Sequence, residues 1–386
     1  MTSFDLHEQE SPAPSRVSSL LSGSLTVVEL GESVSTALSG RLLAKLGAHV
    51  TRVAIAGEPS PLDQEGPFVG AGSDRTSALA VWLRDGKTLV DADLADAADR
   101  ERLDARLRDA DVVLVHGTTA QWRRRGFALE RLPELAPTAV VGHVTAWGDD
   151  GPHAELPSSE LAFQATSGFM RLIGDLDHEP VRLGGHPLQS IAALLTLDGV
   201  MIGLFARERT GKGARFTTSE LEASAHAEWK IATFVQAGLR RERRGEDNGA
   251  LVLRCRDGFF AAFYHPRDWA VMKDIIGDSR LDAEEFATAQ GRLKNQARLA
   301  ALMAESTRTM SKKDLYHATQ ARGIPAGYVA TVTDLLESPQ YRARSFFAPV
   351  EVPGVGVGLL PHAPWQVLGP EDAERIASLD TNGGAE

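Results

Sequence analysis

The spacing of apolar positions changes period along the chain, and each change marks an element. Thr26-Val-Val-Glu-Leu30 is a short β-branched run, followed by Gly31-Glu-Ser33 and an amphipathic stretch from Ser35 to Leu46 that ends at Gly47. His49-Val-Thr-Arg-Val53 restarts a strand. Strand, serine N-cap, helix, terminal glycine and strand compose a βαβ unit. Leu94–Arg108 reads as charged helix, Ala110–Val115 as strand, Leu129–Leu135 as helix and Thr138–Val144 as strand. Such alternation predicts an α/β architecture with a mostly parallel sheet.

Beyond Arg215 the pattern differs. A strand at Arg215–Thr218 leads into a helical stretch over 218–240, which ends in the run Arg240-Arg-Glu-Arg-Arg244. Leu251–Cys255 and Phe259–Phe263 read as a hairpin turning at Asp257-Gly258. Helical segments follow from Asp268 to Ala321, then strands at Gly323–Val329 and Pro353–Pro361. The expected organisation is a flexible N-terminal arm (1–24), the first part of a large domain (25–217), a helical linker (218–245), a small α+β domain (246–328) and a return to the large domain (329–386). The longest apolar run, Ser190 to Phe205, is interrupted by Asp198. It is too short for a membrane span and reads as a buried helix.

Composition narrows the function. The 386 residues carry 41 Lys+Arg against 52 Asp+Glu, a net charge of −11, which argues against nucleic acid as the main partner. The first residues have no apolar core of a signal peptide, so a soluble cytoplasmic protein is expected. Cys255 is the only cysteine, which leaves no intrachain disulfide and no cysteine metal site. The eleven histidines form no HExxH pattern, and neither GxGxxG after a strand nor GxSxG is present. Thr210-Gly-Lys-Gly-Ala214 lacks the glycine spacing of a phosphate loop and reads as a solvated turn. Arg123-Arg-Arg125 stands out in this acidic chain. It lies just past the strand end Val115-His-Gly-Thr-Thr119, where α/β sheets gather anionic ligands. Arg84-Asp-Gly-Lys87 is a second basic turn.

Together these residues resemble the class III CoA-transferases, which include formyl-CoA transferase, carnitine CoA-transferase and α-methylacyl-CoA racemase. The resemblance runs from about Leu25 to Val367. It is carried by Val27-Val-Glu-Leu30, Leu42-Leu-Ala-Lys-Leu-Gly-Ala-His-Val50, Gly86-Lys87, Asp93-Leu94, Ala110-Asp-Val112 and Arg124-Arg-Gly-Phe127. It continues in Trp147-Gly-Asp-Asp-Gly-Pro152, Gln164-Ala-Thr-Ser-Gly168, Ala206-Arg-Glu-Arg-Thr-Gly-Lys-Gly213, Gly323-Ile-Pro-Ala-Gly327, Ser338-Pro-Gln340 and Phe346-Phe347. The resemblance implies a Rossmann-like large domain with a smaller α+β domain, and two subunits interlocked like chain rings. It implies coenzyme A or acyl-CoA as substrate rather than as a tightly bound cofactor, with the diphosphate near Arg124 and the adenine end near Arg84, Gly86 and Lys87. No metal is implied. The expected partners are an acyl-CoA and a carboxylic acid, without nucleic acid or membrane.

The resemblance breaks at the reacting groups. Transferases of this family attack the thioester with an Asp that opens a small-residue helix in a pattern like Pro-Leu-Ala-Asp, forming an anhydride and then an aspartyl-CoA. Here the segment is His186-Pro-Leu-Gln-Ser-Ile-Ala-Ala193, which puts Gln189 at the nucleophile position with His186 and Ser190 beside it. The His-Asp pair of the family's racemases matches Ser159-Glu160. The family's Ala-Gly-Pro after the first strand reads Ser35-Thr-Ala37, the acidic residue after the second strand is Ala54, and Asn-Phe reads His116-Gly117. The glycine-rich loop of formyl-CoA transferase has no counterpart. The expected function is CoA transfer between carboxylic acids, carried out alone as a homodimer or as the non-catalytic subunit of a heteromer with a catalytic paralogue. Two alternatives stand beside it. One is an acyl-CoA isomerase, epimerase or dehydratase using Glu160 or His186; the other is an acyl-CoA-binding protein without chemistry.

Overall fold

In the computed structural model, residues 25–72, 75–174, 178–238, 250–352 and 354–366 are described. They divide into two compact units. The first takes the described residues within Met1–Ile173, Pro180–Leu239 and Ala343–Glu386, the second those within Gly174–Glu179 and Arg240–Arg342. The arm expected at 1–24 and the Arg240–Arg244 run lie outside the described residues.

The first unit opens with β1 (Thr26–Leu30), α1 (Val34–Lys45) and β2 (His49–Ile55), then a ribbon of β3 (Phe68–Val69) and β4 (Thr76–Ser77). Next come α2 (Ala78–Arg84), β5 (Lys87–Ala92), α3 (Ala97–Arg108), β6 (Val112–His116), α4 (Thr119–Arg124), α5 (Leu132–Leu135) and β7 (Val140–Thr145). α6 (Glu160–Thr166), α7 (Pro187–Thr210), β8 (Ala214–Ser219), α8 (Glu220–Ala227) and α9 (Trp229–Gln236) follow. Six strands form one parallel sheet in the order β5-β2-β1-β6-β7-β8. Alternate residues of β1 enter different cores: Val27 packs with Val50 and Leu114, whereas Val28 and Leu30 pack with Val113 and Val115. Both faces are covered, as parallel sheets require.

Local chemistry sets the element ends. Ser33 caps α1 in a reciprocal box with Thr36. Gly86, at φ +84°, makes the turn between α2 and β5. The helical stretch expected over 218–240 breaks at Glu228 (φ −111°, ψ 46°) into α8 and α9. α7 is longer than the apolar run that announced it. Its 24 residues have the length and apolar composition of a membrane-crossing helix, alone among the described residues. The expectation of a segment too short to span is therefore corrected. The expected buried helix is buried along one face: Ala192, Ala193, Leu197 and Val200 enter the core, while Ile202 and Phe205 are exposed.

The second unit contains a three-stranded antiparallel sheet with helices. β9 (Ala250–Cys255) and β10 (Gly258–Phe263) form the expected hairpin. The strand expected at Gly323–Val329 shrinks to β11 (Gly327–Tyr328), because Pro325 has no N–H for a ladder. Helices α10 (Trp269–Ile276), α11 (Ala289–Lys294), α12 (Gln296–Thr307), α13 (Lys312–Gln320) and α14 (Val332–Glu337) complete it. Cys255 is buried with Leu253, Phe260, Met272 and Met303. Back in the first unit, β12 (Phe347–Val352) pairs with β13 (Gly356–Pro361). The sequence pattern had announced only the later strand, starting at Pro353; Gly354, at φ +72°, belongs to the turn between the two.

Candidate active site

The strand order reverses beside β1: the chain winds outward through β2 and β5, then returns to build β6, β7 and β8 on the other side. At such a switch point the loops leaving neighbouring strands diverge and open a crevice at the carboxyl ends. A cleft of about 580 Å³ lies there, lined among others by Gly31, Arg52, Ser60, Gly117, Arg124 and Arg125. The two glycines keep its floor bare. Gly31 has φ +73°, and a Cβ would lie 2.7 Å from the His116 carbonyl; Gly117 has φ +104°, and a Cβ would meet Gln121 Oε1 at 2.7 Å.

The cleft is cationic, but its cations are held by carboxylates. Arg124, well exposed, pairs with Glu155 at 2.5 Å, and Arg125 pairs with Glu58 at 2.9 Å while covering the Trp122 ring. Arg123 pairs with Glu130. Deeper, Glu32 receives Arg52 at 2.9 Å, Arg84 at 2.8 Å and the Ser60 hydroxyl. Burial pushes the Glu32 carboxyl up, but Arg84, Ser60 and Arg52 together bring it below the usual range. Arg52 Nε is buried without a partner. Burial, assisted by Arg125 and His143, lowers His116 to about 4, so its ring is neutral.

Of the expected adenine-end residues, Arg84 is tied to Glu32, Ser60 and Asp63, and Gly86 forms the turn described above. Lys87 lies in the interior. Its ammonium, 0% exposed, donates to Glu29 Oε1 (2.7 Å), Glu29 Oε2 (2.9 Å) and the Ala37 carbonyl (2.7 Å). Its three donors are taken, and its side chain offers nothing to a ligand.

The second locus is the N-terminus of α7. Pro187 at its first position fits the start of a helix, and His186 at the N-cap supplies no side-chain cap. The cap comes from α6. Glu160, buried, accepts Leu188 N on Oε1 and Gln189 N on Oε2, both at 3.1 Å, and Gln164 Nε2 at 2.9 Å. Both oxygens are spent on the helix start, a stabilising position for a carboxylate. His186 and Gln189 sit beside it, with His186 Nδ1 3.1 Å from Gln189 Oε1 and His186 Nε2 3.3 Å from Glu65 Oε1.

One member of this group escaped the sequence analysis. Glu220, the first residue of α8, is 1% exposed. It accepts Gln189 Nε2 at 3.3 Å and the hydroxyl of buried Ser35. Burial raises its pKa to about 7, with the Glu160 charge adding and the two hydrogen bonds opposing. In the sequence Glu220 is one of two acids in a helical first turn, where acids are ordinary. Ser35, which the resemblance set where the family has Ala-Gly-Pro, is the α1 residue that meets it. Among the described residues no group of three or more His, Cys, Asp or Glu could hold a metal ion.

The family model described as "CoA-transferase family III" matches residues 21–371. The chain is 26% identical over 377 residues to acetyl-CoA:oxalate CoA-transferase of Acetobacter aceti, covering 94% of this chain and 93% of that protein. It is 27% identical over 332 residues to the succinyl-CoA:(R)-benzylsuccinate CoA-transferase subunit BbsE of Thauera aromatica, covering 80% and 79%. A CAIB/BAIF family protein from Brucella suis shares the fold, with a TM-score of 0.76 at 24% identity, covering 95% of this chain and 99% of that one.

Proposed function

The chain belongs to CoA-transferase family III, and we propose that it binds an acyl-CoA as the non-nucleophilic subunit of a heteromeric CoA-transferase. The observation that carries this reading is the occupancy of the α7 N-terminus. The position matching the family's attacking carboxylate holds Gln189, and a primary amide forms no anhydride with a thioester. Of the carboxyls beside it, Glu160 spends both oxygens on α7, Glu220 is buried and accepts Gln189 Nε2 and Ser35 Oγ, and Glu65 faces His186.

In this reading the cleft at the ends of β1, β2 and β6 takes the nucleotide end of CoA. Arg124 and Arg125 turn from Glu155 and Glu58 to the diphosphate, a charge-assisted exchange of anions. Lys87 has a structural part instead. The catalytic carboxylate comes from a paralogous chain that carries Asp at the position of Gln189, in a cytoplasmic, interlocked assembly. The relative BbsE is itself named as a subunit.

The test combines calorimetric CoA binding with mass spectrometry of the purified chain, mixed with acetyl- and succinyl-CoA and a panel of carboxylic acids. Binding without a covalent adduct or CoA exchange is expected, with exchange appearing when a paralogue carrying the Asp is added. A side-chain adduct, or exchange by this chain alone, overturns the proposal. Binding that gives no exchange even with that paralogue leaves an acyl-CoA-binding protein instead.

A further inference from the structure

Four side chains make a continuous chain of polar contacts across the α7 N-terminus. Glu65 Oε1 lies 3.3 Å from His186 Nε2, His186 Nδ1 lies 3.1 Å from Gln189 Oε1, and Gln189 Nε2 donates to Glu220 Oε1 at 3.3 Å. Its outer end, Glu65, is solvent-exposed, with 46% of the side chain accessible, and its inner end, Glu220, is buried. Gln189 is therefore a two-ended connector. Its amide has one accepting and one donating end, and a half-turn exchanges them with little movement of heavy atoms.

The observed orientation demands particular protons. With Gln189 Oε1 facing His186, Nδ1 must carry a hydrogen, and a hydrogen on Nε2 serves the Glu65 carboxylate. With both hydrogens in place His186 is an imidazolium, and the Gln189 NH₂ donates to an ionised Glu220. With the amide reversed, the Gln189 NH₂ donates to a bare Nδ1, His186 is neutral with its hydrogen on Nε2, and Glu220 carries a hydroxyl that donates to Gln189 Oε1. The two arrangements hold the same number of protons. One proton leaves His186 Nδ1, one arrives on Glu220, and no bond other than N–H and O–H changes.

We propose that His186 and Glu220 share one proton across the reversible Gln189 amide, so that the site has an ion-pair form and a neutral form at a single net charge. Other groups facing the pair bias the balance. Ser35 Oγ, from α1, donates to Glu220 and favours its ionised form. Glu160, from α6, holds its charge close by and favours the neutral form. Glu65 faces the outer side of the His186 ring, 3.3 Å from Nε2. Burial raises the Glu220 carboxyl to about 7, which favours a proton on it. The consequence, which rests on the reading of this locus as the acyl-CoA site, is that the locus presents a substrate with either a charged or a neutral imidazole at one net charge.

The test needs no substrate, so it stands or falls separately from the transferase reading. Ionisation of Glu220 in the full chain is followed by infrared difference titration, the band being assigned with Glu220→Gln. His186→Asn removes the imidazolium and is expected to move the Glu220 midpoint upward by about one pH unit, the size at which two sites titrate as a pair. Gln189→Met also moves it upward, and in that background His186→Asn has no further effect. An unmoved midpoint in His186→Asn overturns the proposal. So does a His186→Asn shift that persists undiminished beside Gln189→Met, because the coupling then passes through space alone. Circular dichroism checks that each variant is folded; if Gln189→Met is not, Gln189→Asn, too short to reach both partners, takes its place.

Discussion

Replacing Lys87 by Met separates a structural lysine from a ligand-binding one. The Lys87 ammonium and the Glu29 carboxylate are 0% and 2% exposed, on strands β5 and β1 with β2 between them. The pair is clamped under α1, where Ala37 supplies a carbonyl and Gly40 leaves the room; a Cβ at Gly40 would collide with the Glu29 carboxylate. Burial pushes Glu29 up and Lys87 down, each opposed by the charge of the other. Methionine fills the volume but leaves Glu29 buried without its paired ammonium. Removing one partner of a buried pair costs about 3–5 kcal/mol, a large part of the roughly 5–15 kcal/mol that holds a typical domain. The melting temperature should fall by on the order of 10 °C. Urea and thermal denaturation followed by circular dichroism measure the loss, and calorimetry measures CoA affinity under conditions where the variant remains folded. Adding Glu29→Leu to Lys87→Met should recover much of the stability, because no unpaired charge remains. A Lys87→Met protein of unchanged stability whose CoA affinity drops tenfold would refute this reasoning and return Lys87 to the ligand.

Three further outcomes are expected. Burial holds the folded Glu220 carboxyl at about 7, against its ordinary value of 4.5, so the folded chain keeps a proton that the unfolded chain has lost in that window. Stability should therefore fall by about 2–4 kcal/mol as pH rises from about 4.5 to 7; denaturation at several pH values should show this slope in the wild type and its absence in Glu220→Gln. Arg124→Ala should weaken CoA binding by about tenfold or more, as loss of a charge-assisted contact does, with the melting temperature unchanged because the Glu155 pair is exposed; equal calorimetric affinity would remove Arg124 from the site. Gln189→Asp alone should give no CoA exchange in the mass-spectrometric assay, because the new carboxylate faces Glu220 and Glu160 in a setting shaped for an amide; clear transferase activity would show the pocket to be otherwise intact.

The parallel α/β sheet was written in local signals. β1, α1 and β2 follow from β-branched runs, a serine cap and Gly47, all of which act within a few residues. The family, too, was legible in short segments spread along the chain. What the sequence left open was which polar groups meet. Lys87 and Arg84 sit in one basic turn, yet the alternation of a strand buries Lys87 against Glu29, 58 residues away, while Arg84 reaches Glu32 and Asp63. Glu160, a candidate acid or base by position, proves to be the cap of a helix that starts 27 residues later. Glu220 carried no mark beyond an ordinary helix start, and only the packing of α1, α7 and α8 puts it beside Ser35 and Gln189. Backbone form is set by neighbours in sequence, whereas the protonation of a carboxyl is set by water exclusion and by charges from distant segments, which exist only once the chain has folded.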